Sequence, residues 1–254
     1  MINKIKKRLQ HLTEKSVLVT TALFDRLLDT AALYNLKIRA TWNGLHVPLP
    51  QIGLERGNTH TAGKGNTSLN KMQLILTHLP LESTTAVDIG CHNGFFSLTL
   101  ARLRSLHVYG YDPDPSLIRI ASLVAYHLKI RTVAFCNWGI DLQNLSTLPQ
   151  VDIMLVLSVF HNWVQSMSFQ EACTLLQRVW TKTKQVMFFE LPNTLENKKI
   201  SEFMPAMGAT IQECERYIEQ LLKQLPNSRV SLIAFLPTDF RPNESRHLFK
   251  VERI

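Results

Sequence analysis

The chain has 254 residues, a formal net charge of +8, 45% hydrophobic residues and 19% charged residues. These values are ordinary for a globular protein with a sizeable core, and the length fits one large α/β domain or one domain with an appendage. No run of about 18 consecutive apolar residues occurs, so the sequence predicts no membrane-spanning helix and no stable membrane insertion.

Basic residues are concentrated near the N-terminus, where residues 1–39 hold eight lysines and arginines against three acidic residues. Such a segment could bind RNA, an anionic lipid or a phosphorylated substrate, or form a solvated face. The four cysteines, Cys91, Cys136, Cys173 and Cys214, lie far apart and form no CxxC pair. This spacing argues against a zinc site and predicts a reduced, cytoplasmic protein with no bound metal.

The N-terminal part of the chain has two contrasting patterns. Residues 3–35 place apolar side chains at helical spacing and predict a helix. Residues 41–68 are rich in Gly, Pro, Asn and Thr, which predicts a strand pair or an extended loop that could close over a ligand. A helix is expected over residues 69–79. Residues 1–75 are therefore interpreted as a helical cap and lid segment.

From residue 76 to the end, short apolar runs alternate with helical patterns, which is typical of βαβ units. The predicted strands are residues 86–89, 107–111, 132–136, 153–157, 185–190, 231–236 and 248–251. The predicted helices begin near Phe95, Ser116, Phe169 and Ala209, and Ser168 with Glu171 has the spacing of a capping box. The sequence predicts a three-layer, Rossmann-like α/β domain over residues 76–254, with a seven-stranded, mostly parallel sheet and an N-terminal helical extension.

The loop after the first predicted strand has the sequence DIGCHNG, residues 88–94. It follows a strand and opens a helix, which is the context in which a glycine-rich turn binds a nucleotide. Gly90 would permit a sharp turn and the close approach of a ligand to the backbone. Gly94 would let the helix start pack tightly, with its free N–H groups facing the crevice. A tight turn without a ligand is the alternative.

A second motif, VYGYDPDP at residues 108–115, ends the next predicted strand. The carboxylate of Asp112 could there accept hydrogen bonds from both ribose hydroxyls of an adenosine. A solvent-facing aspartate before Pro113 is the alternative. Nicotinamide dinucleotide binding fits less well, because its fingerprint needs a third glycine in the first loop.

Three segments in order resemble the motifs of the class I S-adenosylmethionine-dependent methyltransferases: VDIGCHNGFFSLTLA, VYGYDPDPSLIRIA and VDIMLVLSVFHNW. The resemblance covers about residues 80–190 and implies S-adenosyl-L-methionine as the cofactor. The family commonly has Gly where this chain has His92. Subfamilies that resemble GCxxGFFS and tolerate a bulkier residue act on RNA ends or on bacterial surface polysaccharides.

The resemblance also implies roles for individual residues. Asp88 and Gly90 would line the methionine end of the cofactor, and Asp112 would hold the ribose. Asn137, Trp138 and Asp141 are the candidates beside adenine, although Trp138 could equally be a half-buried core residue. The complete set assigned to cofactor binding is Asp88, Gly90, Cys91, Gly94, Asp112, Pro113, Asn137, Trp138 and Ser158.

The acceptor should lie beyond the fourth predicted strand, because ligands of open α/β sheets sit at the carboxyl ends of the strands. His161 follows that strand and is the candidate catalytic base, since an unperturbed histidine titrates near neutrality. A structural histidine is the alternative. Asn162 and Trp163 could shape the acceptor pocket.

Polar residues near other strand ends are further candidates. Glu190 ends the fifth predicted strand, as a polar contact or as a cap. Arg241 and Arg246 precede the last strand and could bind a phosphate or carboxylate, or lie on the surface.

The sequence thus predicts an S-adenosylmethionine-dependent methyltransferase acting on a saccharide, a glycolipid or another small hydroxylated acceptor. An RNA methyltransferase that docks through the basic N-terminal segment is one alternative. A non-catalytic cofactor-binding module with the same fold is another. The sequence leaves the oligomeric state open.

Overall fold

A computed structural model of the chain describes residues 67–192, 202–208, 210–237 and 245–254. The helix predicted over residues 3–35 and nearly all of the irregular segment 41–68 lie outside the described residues. The division of the chain at residue 75 therefore stays a prediction.

The described part contains seven strands and six α-helices, numbered here in chain order. The strands are β1 (Thr85–Ile89), β2 (His107–Tyr111), β3 (Val133–Cys136), β4 (Val151–Leu157), β5 (Thr183–Leu191), β6 (Ser228–Pro237) and β7 (Ser245–Arg253). The helices are α1 (Thr67–Thr77), α2 (Phe95–Arg104), α3 (Pro115–His127), α4 (Phe160–Ser166), α5 (Phe169–Thr181) and α6 (Ile211–Lys223). No described helix is both long and apolar enough to span a bilayer.

The strands form one sheet in the order β3-β2-β1-β4-β5-β7-β6. Strands β1 to β5 pair in parallel, whereas β7 is antiparallel to both β5 and β6. From β1 the chain moves outward through β2 and β3 and then returns to the other side of β1 at β4. Ligands of open α/β sheets bind beside such a reversal of strand order. The predicted seven-stranded, mostly parallel sheet is confirmed.

Strand β4 lies at the centre of the core, and all seven of its residues are buried. Met154 and Val156 pack in one apolar cluster with residues of α4, α5 and α6, whereas Ile153 and Leu155 pack in a second cluster with residues of α1 and α2. A strand that is covered on both faces is apolar in a continuous run rather than in alternation. Helices on both faces of the sheet make a three-layer, Rossmann-like α/β fold.

Helix starts follow local sequence signals. The capping box predicted at Ser168 is present: the Glu171 N–H donates to Ser168 Oγ at 3.1 Å, and the Ser168 N–H donates to a Glu171 carboxylate oxygen at 2.9 Å. Thr210 and Glu213 make the same arrangement at the start of α6, which had been expected near residue 209. Helix α4 was not predicted, because seven residues are too few to give a clear helical period.

Asp152, at the start of β4, stabilises the beginning of β1. One of its carboxylate oxygens accepts hydrogen bonds from the backbone N–H and the hydroxyl groups of Thr84 and Thr85, at 2.9 to 3.0 Å. Asp152→Ala leaves these donors without their acceptor, so we expect the free energy of unfolding to fall by about 2–4 kcal/mol in urea denaturation. Glu82→Ala, at an exposed position, is the control and should change it by less than about 0.5 kcal/mol. Equal losses in both variants would contradict this role.

Candidate functional site

A cavity of about 890 Å³ lies at the carboxyl ends of the central strands. Its walls come from the loops after β1, β2, β3 and β4, and from parts of α1, α4 and β7. Seven of the residues assigned to cofactor binding line it: Asp88, Gly90, Cys91, Asp112, Pro113, Trp138 and Ser158. Gly94, Asn137 and the candidate base His161 are not among the lining residues.

The loop between β1 and α2 is folded onto the end of β2. The N–H groups of Gly90 and Cys91 both donate to the carbonyl oxygen of Tyr111, at 2.7 and 3.0 Å. Gly90 has a φ of +71°, and a Cβ atom there would lie 2.5 Å from Cγ2 of Val159. Glycine is therefore needed at position 90 both for the turn and because Val159 packs directly against it.

Gly94 serves the packing of α2 rather than the cavity. It precedes the helix with a φ of +81°, and a Cβ atom there would lie 2.7 Å from the Phe135 ring and 2.9 Å from Cβ of Ala121. These neighbours belong to β3 and α3. The expected tight packing at the helix start is thus present, and its cause is contact with the adjacent strand and helix.

Asp112 is buried at the end of β2, and its carboxylate is fixed by two backbone amides. The N–H of His92 donates to one oxygen at 2.9 Å, and the N–H of Asp114 donates to the other at 3.0 Å. A carboxylate has about four lone-pair positions, so the group can accept further hydrogen bonds from a ligand in the cavity. His92 has a φ of +52°, a left-handed conformation in which glycine is favoured.

Asn137 and Trp138 follow β3 and have different positions. The Asn137 side-chain amide donates to the backbone carbonyl of Asp112 at 3.0 Å, so it holds the end of β2 without lining the cavity. Trp138 is 53% exposed and lines the cavity together with Ile140 and Asp141. Trp138 is therefore not packed into the hydrophobic core.

Asp88, near the end of β1, is buried in the cavity wall with 2% of its surface exposed. The Ser97 hydroxyl donates to its carboxylate at 2.6 Å. Burial raises the pKa of Asp88 to about 7; the Ser97 hydrogen bond opposes this rise and the Asp112 carboxylate adds to it. Burial also raises the pKa of the neighbouring Cys91 thiol, which disfavours the thiolate.

Four polar residues form a second group at the opposite end of the cavity. We call this group the Glu190 cluster; its members are Lys71, Ser158, Glu190 and Arg246. Glu190 is fully buried at the end of β5 and forms a salt bridge with Lys71 of α1. Ser158 Oγ donates to Glu190 at 2.5 Å, and one Arg246 nitrogen lies 2.7 Å from Ser158 Oγ and 3.2 Å from Glu190. Burial alone would raise the pKa of Glu190, but Lys71 and Arg246 hold it below its ordinary value.

Sequence reasoning found only part of this cluster. Lys71 was missed because it lies on α1, far from the motifs in sequence, and a single lysine on an amphipathic helix resembles a surface residue. Glu190 and Arg246 were candidates, but their contact with each other was not predicted. Arg241 lies outside the described residues.

His161 lies in the first turn of α4, half-buried beside the Glu190 cluster. Its Nδ1 atom is buried and has no hydrogen-bond partner among the described residues. Burial lowers the pKa of His161 to about 4; Arg246 adds to this effect and Glu190 opposes it. The imidazole is therefore neutral at physiological pH.

Metal ligation is not supported within the described residues. There, His, Cys, Asp and Glu side chains form no group of three that could hold a metal ion.

Solved structures with the same fold include several methyltransferases. The bifunctional kinase–methyltransferase WbdD is 22% identical with a TM-score of 0.60, over 72% of this chain and 39% of WbdD. The magnesium protoporphyrin IX methyltransferase ChlM from Synechocystis PCC 6803, with bound SAH, is 16% identical with a TM-score of 0.52, over 77% of this chain and 92% of ChlM. Cofactor-bound Rv0187 from MTB is 14% identical with a TM-score of 0.51, over 73% of this chain and 79% of Rv0187.

The chain spans about two fifths of the length of the WbdD chains that it matches. No protein-family model matches the chain, and no curated protein matches it in sequence. At these identities the similarity establishes the fold, which is the Rossmann-like fold of methyltransferases.

The titration of Asp88 should make the stability of the cofactor-free protein depend on pH. The unfolded carboxyl ionises near pH 3.8 and the folded one near 7, so ionisation between these values lowers the free energy of unfolding. Asp88→Asn imitates the protonated form and should be more stable than the wild type at about pH 8, by about 1–4 kcal/mol. The gain should shrink toward about pH 4.5. Urea denaturation between these pH values measures the difference in the free energy of unfolding. A gain in stability that is independent of pH would contradict the raised pKa of Asp88.

The imidazole of His161 should stay neutral well below the ordinary histidine range. We expect its ring ¹⁵N chemical shifts to remain those of the neutral form down to about pH 5, because its pKa lies near 4. Comparison of spectra with those of His161→Gln assigns the signals. A midpoint for His161 near 6.5 would contradict the burial seen here.

Proposed function

We propose that the protein is an S-adenosyl-L-methionine-dependent methyltransferase. The observation that carries the proposal is the position of Asp112. Its buried carboxylate is held by two backbone amides at the end of β2 and borders a cavity beside the reversal of strand order. This is the arrangement in which an acidic side chain binds the ribose hydroxyls of an adenine nucleoside.

The remaining lining residues fit the same ligand. Gly90 and Asp88 border the part of the cavity next to Asp112, on the side where the methionine end would lie. Trp138 offers an exposed aromatic face near the end of β3, on the side where adenine would lie. His92 stands in the wall and leaves a cavity of about 890 Å³, so its side chain does not fill the site.

The bound cofactor would supply a methyl group that is already activated on a sulfonium. The protein then needs chiefly to align the acceptor and to exclude water. Ser158, Asn162 and Trp163 line the cavity after β4, where an acceptor should be placed. Trp163 is 5% exposed and closes this part of the wall with its apolar surface.

For the acceptor, we propose a saccharide, a glycolipid or another small hydroxylated molecule. A hydroxyl must lose a proton during methylation, and His161 was the expected base. With its pKa near 4 it would be a weak base, and it is not among the residues that line the cavity. Its position favours packing beside Arg246 over direct proton transfer.

The two alternatives predict different behaviour. An RNA acceptor would bind with an affinity that falls steeply with salt, and the basic segment of residues 1–39 lies outside the described residues. A non-catalytic module would bind the cofactor and leave it intact with every acceptor.

Calorimetric titration with S-adenosylmethionine and S-adenosylhomocysteine tests the cofactor site, with NAD as the comparison ligand. We expect micromolar binding of the adenosyl compounds, weakened by about 10- to 100-fold in Asp112→Ala because hydrogen bonds to a charged group are lost.

Asp114→Ala is the matched control, since it removes the same charge two residues away. Asp114 is exposed, caps α3 and does not line the cavity, so its loss should leave both affinities within about twofold. An absence of binding to the wild type, or an equal loss in both variants, would contradict the proposal.

A further inference from the structure

The Glu190 cluster lies at the end of the cavity that is remote from Asp112. Asp112 follows β2 and Glu190 ends β5, with β1 and β4 between these strands. Adjacent strands are about 4.8 Å apart, so three spacings separate the ends of β2 and β5 by about 14 Å along the sheet. The cluster is therefore on the acceptor side of the cavity, away from the proposed ribose position.

Lys71 and Arg246 both face the cavity although little of either side chain is exposed. The exposed fractions are 9% for Lys71 and 21% for Arg246, and both residues line the cavity wall. Cations in such partly desolvated positions interact more strongly with an anion than exposed lysines and arginines do.

Lys71 has the hydrogen-bonding capacity to hold a ligand while it stays bound to Glu190, and Arg246 adds a second positive charge beside it. An ammonium group has three donors, and the described partners of Lys71 Nζ are the Glu190 carboxylate and the face of Phe96, 5.8 Å away. Arg246 has five N–H donors; one of its nitrogens contacts Ser158 and Glu190, and it has other partners in the chain.

The charges of the cluster do not cancel. Lys71 and Arg246 both form salt bridges with the single carboxylate of Glu190, so these three side chains together carry a formal charge of +1. Glu190 thus holds the two cations in place and neutralises only one of them.

We propose that Lys71 and Arg246 form an oxyanion subsite, so that the methyl acceptor carries a carboxylate or phosphate group that docks there. This inference rests on the proposed methyltransferase function, and it adds the chemical class of the acceptor. Arg246 gives the subsite directionality through its planar guanidinium, and Lys71 adds a compact charge. Ser158 and Glu190 are positioning residues, because they orient the cations.

The test is a titration of the protein with inorganic phosphate and, separately, with acetate, at an ionic strength held constant with sodium chloride. Tryptophan fluorescence reports binding, since Trp138 and Trp163 both line the cavity. We expect a saturable response with a millimolar dissociation constant for at least one anion, both with and without saturating S-adenosylhomocysteine. The anion that binds more tightly identifies the phosphate or the carboxylate class.

Three variants relate the response to the cluster. Arg246→Gln should weaken anion binding by about tenfold or more, and Arg246→Lys should restore part of it because the charge returns. Arg229→Gln, at an exposed position on β6, is the matched control and should bind as the wild type does. If circular dichroism shows that Arg246→Gln is unfolded, Arg246→Lys becomes the deciding variant. Its anion binding should then be weaker than that of the wild type by about threefold or more.

A response to both anions that does not saturate would overturn the inference. So would the same dissociation constant in the wild type and in the deciding Arg246 variant. Weaker binding of S-adenosylhomocysteine by that variant, with unchanged binding of 5′-methylthioadenosine, would instead assign the cations to the amino-acid carboxylate of the cofactor. A wild type that binds anions but no adenosyl compound would retain the subsite and reject the proposed function.

Discussion

The hydrogen bonds between the β1–α2 loop and the end of β2 are the constraint on which the site depends. The amides of Gly90 and Cys91 donate to the Tyr111 carbonyl, and the His92 amide donates to Asp112. Three successive N–H groups are thereby satisfied within the chain. The same contacts fix the Asp112 carboxylate and open the space beside it.

This arrangement explains how a histidine is compatible with a loop position at which the methyltransferases that the sequence resembles commonly have glycine. His92 adopts a left-handed backbone conformation, which costs roughly 1 kcal/mol for a residue with a side chain. The hydrogen bond from its backbone N–H to the buried carboxylate of Asp112 offsets that cost, since charge-assisted hydrogen bonds are among the stronger ones in proteins. The loop geometry is therefore kept while the side chain becomes part of the cavity wall.

The Glu190 cluster gives the opposite end of the cavity a different character. Around Asp112 the polar groups are a carboxylate and backbone amides, whereas around Glu190 two cations share one buried carboxylate. Ser158 belongs to this second group, although it had been assigned to cofactor binding. Its left-handed conformation, with a φ of +59°, lets the hydroxyl lie between Glu190 and Arg246. The polar groups of the cavity thus differ between its two ends.

The sequence by itself determined the alternation of strands and helices, because buried parallel strands are continuous apolar runs and helix starts carry local caps such as that of Ser168 and Glu171. It also determined that Gly90 and Asp112 lie at adjacent strand ends, since both follow recognisable strands that a βαβ unit makes parallel. Only the tertiary structure decided that Lys71, Glu190 and Arg246 meet. They come from a helix and two strands that are remote in sequence, and local sequence periodicity does not predict such long-range contacts. Tertiary packing likewise decided that Gly94 packs against β3 and α3, that Asn137 bonds the Asp112 carbonyl, and that His161 is half-buried with a lowered pKa. Side-chain direction and burial depend on the neighbouring elements.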